Sequence, residues 1–265
     1  MSDPRPLLFA GISDAIVRAD VVAQEPGIIV EVEEAAKATI EVGANVLHHI
    51  REAEQVDGGQ IVLSIEGNPL SIALAEERLM GIMAKPSGIA TAAASFVERA
   101  AGSVRVVSGG WKKLPFSQKS MVRTAVAAGG VQPRIADWPF VYLDKNFVSM
   151  LGGVVATLSA VNSRPELAGY RRIIQVTTVD EALAAVGARA ETVFVDTGRL
   201  ADLSLISDAL HTHGLRSGVE LAFGGGLSIE DIDVLRDMDV DVIDVGRSIV
   251  DAPLLDMNLR VEGRP

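Results

Sequence analysis

From about Arg105 the chain alternates short apolar runs with longer amphipathic ones. "VRVVSGG", "FVYLDK", "RIIQVTT", "TVFVDTG", "GVELAFGGG" and "VDVIDVG" read as six strands. Their apolar positions are nearly continuous, as expected of strands buried on both faces. Between them, "SQKSMVRTAVAAGG", "VDEALAAVGA" and "LADLSLISDALHTHG" carry helical spacing, and "SMLGGVVATLSAV" reads as a helix weakened by its glycines. Strands alternating with helices predict right-handed βαβ units and a parallel sheet. The repetition favours an α/β barrel over an open doubly wound sheet.

The first hundred residues follow another pattern. "DVVAQEPGIIVEV" and "QIVLSIEG" read as strands separated by a helical stretch, "EEAAKATIEVGANVLHHIREA". "VDGGQ" supplies the turn into the second strand. A long helical region begins at Pro69, with Pro86 interrupting it. The expected organisation is a small α/β sandwich domain with linking helices over residues 1–100, a barrel over 101–252 and a C-terminal tail over 253–265.

Composition narrows the chemistry. The 265 residues are 48% hydrophobic and 22% charged, an ordinary globular balance, but only 4% aromatic, so the core relies on Ala, Val, Leu and Ile. Cysteine is absent, which excludes disulfides, thiolate metal sites and a cysteine nucleophile. Four histidines argue against a multi-histidine metal site; His211 and His213, two apart on one helix, point to different sides. No apolar window of about 18 residues lacks charge, so no membrane span is expected. "MSDPRPLLF" lacks the features of a signal peptide, which points to a cytoplasmic protein. A net charge of −11 argues against nucleic acid as a partner.

The candidate chemistry gathers at strand ends. Two successive strands run into glycine turns, Gly224-Gly225-Gly226 and Gly246-Arg247-Ser248. One such turn reads as a tight strand-to-helix connection. Two in succession, the second with an arginine, read as a phosphate site, because glycine lets backbone N–H groups approach an anion and arginine adds a forked donor. Lys112, Lys113, Arg134 and Lys145 also fall near strand ends. Each alone is a solvated surface charge; together, in an acidic protein, they suggest an anionic ligand. Asp196 ends "TVFVD", where a carboxylate serves either as a ligand for Mg²⁺ or a ribose hydroxyl, or as a helix N-cap.

These motifs, taken together, resemble the quinolinate phosphoribosyltransferase family. "KPSGIATAAASFV" is similar to its "SGIATATxxxV" segment. "GGWKKLPFSQKSMVRTAVAAGGVQPR" aligns without gaps to the stretch carrying "TRKTxPGxR…GGGxxHR", and "FVYLDKNFV", "VFVDTG", "LAFGGGLS" and "DVIDVGRSI" stand where the family has "xLIKDNHx", "ILLDNx", "LEASGGI" and "DxISVGALT". The resemblance implies an N-terminal α/β sandwich and an open, incomplete parallel α/β barrel. It implies a homodimer or higher homo-oligomer, built on dimers in which one subunit's small domain covers the other's barrel mouth. It implies an enzyme that joins quinolinate to phosphoribosyl pyrophosphate with Mg²⁺, giving nicotinate mononucleotide, pyrophosphate and CO₂.

Carried over position by position, the resemblance implies catalytic roles for Lys112, Arg134, Lys145 and Asp196, with Asp196 on the metal. Trp111, Lys113, Asp144, Gln175 and the two glycine turns fall among the substrate-binding positions. Several family groups are replaced. Trp111 and Pro133 each take the place of a cation, Gln175 that of a glutamate, Ala222 that of a second glutamate, Phe147 that of a histidine, and Glu77 that of a small-domain arginine. The family's strand-end lysine becomes Asp144, with Lys145 one place later, and a one-residue shift on a strand turns a side chain to the opposite face. The losses remove positive charge from the dicarboxylate pocket and weaken Mg²⁺ coordination. The expected acceptor is a small aromatic or heterocyclic compound other than quinolinate. A barrel relative that binds or acts on another phosphorylated sugar or nucleotide, with or without catalysis, remains the alternative.

Overall fold

The computed structural model describes residues 3–262. The chain divides into two compact units. One comprises the chain up to Ala94, Phe116–Gly130 and the residues from Asp251; the other comprises Ser95–Pro115 and Val131–Val250. In chain order the elements begin with α1 (Arg5–Leu8), β1 (Val17–Ala23), β2 (Gly27–Ile29), α2 (Val32–Glu41), β3 (Asn45–His49), β4 (Glu54–Val56), β5 (Ile61–Gly67) and α3 (Pro69–Ala100). They continue with β6 (Arg105–Val107), α4 (Lys119–Ala128), β7 (Phe140–Leu143), α5 (Lys145–Met150), α6 (Val154–Asn162), β8 (Arg171–Val176) and α7 (Val179–Gly187). The last are β9 (Thr192–Asp196), α8 (Leu200–Thr212), β10 (Glu220–Gly224), α9 (Asp231–Leu235), β11 (Val242–Asp244), α10 (Arg247–Val250) and β12 (Met257–Val261).

In the first unit an antiparallel sheet of order β12-β1-β5-β3 packs on α3, with Val21, Leu63 and Ile65 against Leu79 and Met83. Three sequence expectations change here. The stretch from Glu33 to Ala53 is not one helix: Gly43 takes a left-handed φ of 83°, and Asn45–His49 becomes the edge strand β3, paired with β5. Helical spacing loses to cross-strand pairing. "DVVAQEPGIIVEV" divides into β1, β2 and the start of α2, because the Glu25-Pro26 turn breaks the run. Pro86 does not interrupt α3; the helix continues through it, and the lost backbone bond is offset by burial of Met83, Ile89 and Ala90 around it. Residues 257–261, in the stretch read as a tail, form β12 and pair with β1.

The second unit is a six-stranded parallel sheet of order β6-β11-β10-β9-β8-β7. β6 and β7 end it without pairing, which makes it an open barrel; beside β6, Gln132 forms a parallel bridge with Val107. One face carries three tiers. The middle tier is apolar: Val107, Ile173, Phe194, Ala222 and Val242 form one core with Phe140 and Tyr142. Strand alternation puts Arg105, Arg171, Thr192 and Glu220 one step toward the N-terminal ends of the strands. There Glu220 receives Arg105 at 2.8 Å and Arg171 at 2.9 Å. The same alternation puts Gln175, Asp196, Gly224 and Asp244 toward the C-terminal ends, and Asp144 follows the end of β7 at the same level. The stretch "SMLGGVVATLSAV" is two helices, α5 and α6, separated where Gly152 and Gly153 adopt positive φ.

Glycine at position 88, inside α3, is required by contact. A Cβ there would overlap the carbonyl oxygen of Pro253, in the segment that leads to β12. Helix propensity alone predicts that Gly88→Ala stabilises by about 1 kcal/mol. The packing predicts a net loss of roughly 1–3 kcal/mol, which urea unfolding of the variant measures.

Candidate functional site

The upper tier of the barrel opens into a cavity of about 280 Å³. Lys112, Lys113 and Lys145 line it together with Asp144, Asp196 and Asp244, and Tyr142, Gln175 and Phe194 also border it. A second cavity, of about 130 Å³, is lined by Trp111, Pro133, Arg134, Ile135 and Phe140. Gly109, Lys112, Tyr142 and Asp244 line both.

Register explains the arrangement. Asp196, Gly224 and Asp244 are aligned across β9, β10 and β11. Gly224 between them has no side chain to separate the two carboxylates, and Phe194 and the Asp244 Cβ leave no room for one. Asp244 Oδ1 accepts the Gly109 amide at 2.8 Å. Burial pushes the Asp244 carboxyl above the ordinary range, against the Gly109 bond and the nearby Lys112 ammonium. Lys112 is exposed as a whole residue, yet its Nζ sits 4.0 Å from the Tyr142 ring centroid. That partial desolvation holds the ammonium below the usual lysine value, while Asp244 and Asp144 act in the opposite direction.

Gln175 ties the site together. Its amide nitrogen donates to Tyr142 Oη at 2.7 Å and to Asp196 Oδ2 at 2.9 Å, and its oxygen accepts the Lys145 backbone N–H at 2.9 Å. Burial pushes the Tyr142 hydroxyl well above the usual phenol value, so it stays protonated. Asp196 is therefore bonded to Gln175 and is not a helix cap; α8 begins after Arg199. Asp144 is a cap: Oδ1 accepts from Asn146 N at 2.9 Å and Phe147 N at 3.2 Å, opening α5. This removes the expected conflict between Asp144 and Lys145. The strand ends at Leu143, so strand alternation does not separate them, and both line the cavity. Trp111 donates Nε1–H to the Pro133 carbonyl at 2.6 Å, and the Arg134 guanidinium lies 5.8 Å from the Trp111 ring.

The glycine turns do not line either cavity. Gly225 and Gly226 are exposed with φ of 116° and 80°, Arg247 is exposed, and Ser248 Oγ donates to the Leu227 carbonyl. The helix that Arg247 opens is a single turn. Gly109, Gly110, Tyr142, Phe194 and Asp244 line the larger cavity but were not among the residues singled out from the sequence. The signal for Asp244 was available: like Asp196, it is an acidic residue closing an apolar run, with a glycine two places on.

Among the described residues, no three His, Cys, Asp or Glu side chains are grouped to hold a metal, and no helix is long and apolar enough to cross a membrane.

A family model for the C-terminal domain of quinolinate phosphoribosyl transferase matches residues 89–260, and one for the N-terminal domain matches residues 7–87. The chain belongs to the quinolinate phosphoribosyltransferase family. It is thereby an enzyme of the pentosyltransferase class. The chain is similar to a probable carboxylating nicotinate-nucleotide pyrophosphorylase of Methanothermobacter thermautotrophicus, with 26% identity over 93% of this chain and 89% of that one. A nicotinate-nucleotide pyrophosphorylase of Mycobacterium leprae is 25% identical over 92% of this chain and 86% of its own. Among solved structures, the nicotinate-nucleotide pyrophosphorylase of Pyrococcus furiosus superposes with a TM-score of 0.84 at 26% identity, covering 98% of this chain and 73% of that one. These matches agree with the sandwich and open barrel expected of a quinolinate phosphoribosyltransferase.

The raised Asp244 carboxyl has a consequence for folding. An acid that holds its proton more tightly when folded destabilises the protein once it ionises; stability falls as pH rises through the folded-state value. Asp244→Asn keeps an oxygen for the Gly109 amide and never ionises. Its unfolding midpoint is expected to exceed that of the native protein at pH 7. The gain should shrink as pH falls and vanish below the ordinary value of 3.8, as followed by thermal unfolding across pH.

Proposed function

We propose that this chain transfers the phosphoribosyl group of phosphoribosyl pyrophosphate to a small aromatic or heterocyclic acceptor, and that quinolinate is a poor one. The supporting observation is the charge of the two cavities. Three lysines share the larger cavity with three aspartates, and in the smaller a single guanidinium stands among Trp111, Pro133, Ile135 and Phe140, beside the shared Lys112 and Asp244. A pyridine dicarboxylate is recognised through paired, charge-assisted donors on each carboxylate. The smaller cavity offers an aromatic ring apolar walls, one forked donor in Arg134 and the Lys112 ammonium that it shares with the larger cavity.

In the proposed reaction the bond from ribose C1 to pyrophosphate breaks, and the electron pair leaves with pyrophosphate. C1 passes through an oxocarbenium-like state, and an acceptor atom bonds to it. Lys112, Lys113 and Lys145 balance the charge that develops on the leaving group. Gln175 holds Asp196 and Tyr142 in position through its two donated bonds. A hard cation fits the oxygen donors here only with substrate phosphates and water completing its shell, so Mg²⁺ would take Asp196 as its protein ligand. When bound, Mg²⁺ would neutralise pyrophosphate charge. Gly224, Gly225, Gly226, Gly246, Arg247 and Ser248 are proposed to hold the ribose 5-phosphate, through backbone N–H groups and the Arg247 guanidinium.

Three measurements test this reading. With phosphoribosyl pyrophosphate and Mg²⁺, quinolinate should give little nicotinate mononucleotide. Replacing the uncharged pair, Trp111→Arg with Pro133→His, should raise quinolinate kcat/KM about tenfold or more, since each charge-assisted bond is worth roughly 1.5–3 kcal/mol. Robust quinolinate turnover by the native chain overturns the acceptor assignment. Arg247→Ala should weaken ribose 5-phosphate by roughly 1.5–3 kcal/mol in calorimetric titration, with folding stability nearly unchanged; equal affinities remove Arg247 from the phosphate site.

A further inference from the structure

Asp244 stands at the junction of the two cavities. Of the three aspartates at the barrel mouth, Asp144 and Asp196 line the larger cavity only, whereas Asp244 lines both. Oδ1 is fixed by the Gly109 amide at 2.8 Å, so the carboxyl has a set orientation. Gly109 contributes by having no side chain: a Cβ there would lie 3.1 Å from Asp244 Oδ2. Asp144 serves as a helix cap and Asp196 is bonded to Gln175. Asp244 is the carboxylate that borders both the lysine-lined space and the aromatic-lined space.

We propose that Asp244 is the general base of the transfer, and that the acceptor is a protic aromatic, one whose ring N–H or O–H is lost when the bond to ribose forms. The inference rests on the phosphoribosyl-transfer reading and names the chemical class of its acceptor. The acceptor lies in the smaller cavity against Trp111, Phe140 and Tyr142, and C1 of the ribose lies toward Lys112 and Asp196. The acceptor's lone pair forms the bond to C1 as the C1–O bond to pyrophosphate breaks. Its proton passes to the Asp244 carboxylate and then to solvent. Nothing is oxidised or reduced, and the products are pyrophosphate and an N- or O-phosphoribosylated acceptor whose ring gains no positive charge. A pyridine dicarboxylate has no such proton to give, so a base at this point has no task in its ribosylation. The charged and titratable groups facing it are Lys112 and Lys113 from the segment after β6, Tyr142 from β7 and Asp196 from β9.

The test uses the full chain with phosphoribosyl pyrophosphate and Mg²⁺, and pyrophosphate release as readout. The acceptors are benzimidazole, 4-hydroxybenzoate, quinolinate and water alone. Thermal shift with phosphoribosyl pyrophosphate is recorded separately for the native chain, Asp244→Asn and Asp244→Ser. The expected result is release with a protic aromatic acceptor above release with quinolinate and with water alone. The two variants should lose that release at least a hundredfold, keep the phosphoribosyl pyrophosphate shift and lose the rise of kcat/KM with pH that the native chain shows. Transfer that is unchanged in Asp244→Asn, or confined to quinolinate, overturns this inference while leaving phosphoribosyl transfer intact. Absence of both thermal shift and pyrophosphate release overturns the phosphoribosyltransferase reading and this inference together.

Discussion

Strand alternation governs the rest of the second unit. Along a strand, the next residue on the same face lies two places on. Each of the short strands therefore steps from ion pairs around Glu220, through an apolar layer, to polar groups at the mouth. The polar tier is held in place by the apolar one below it. Phe194 supports Gly224 from beneath, and Tyr142 belongs to the core through its ring and to the site through its hydroxyl.

The two carboxylates flanking Gly224 show how one register yields unlike chemistry. Asp196 is exposed and accepts an amide hydrogen from Gln175. Asp244 is more enclosed and accepts a backbone hydrogen from Gly109. Environment differentiates residues that the strand pattern makes equivalent, and it does so through partners about twenty and more than a hundred residues away in the chain.

Much of the barrel was legible because each strand is a short apolar run and each helix has its own period. The SGIAT and glycine-rich segments then tied the chain to one family. What escaped the sequence depended on pairing or on where an element stops. β3 looked helical because its pairing with β5 is nonlocal. Lys145 looked misdirected because the end of β7 at Leu143 is fixed by a cap, and Asp144 reads equally well as a strand residue. Tyr142 and Asp244 escaped for a different reason: a tyrosine in an apolar run and an aspartate beside a glycine turn are common, and only their convergence on one cavity distinguishes them.

The turns after β9 and β10 meet backbone to backbone. Gly198 N–H donates to the Gly224 carbonyl at 2.9 Å, and a Cβ on either Gly198 or Gly225 would collide with the other turn. Neither Gly198 nor Gly225 has room for a side chain. The opposite side of the mouth, from Gly110 to Lys113, is a short 3-10 turn of largely exposed side chains. The mouth therefore has two unlike sides: the paired turns form a fixed jaw of backbone, and the side chains of Trp111, Lys112 and Lys113 form a jaw that can be substituted without displacing another loop.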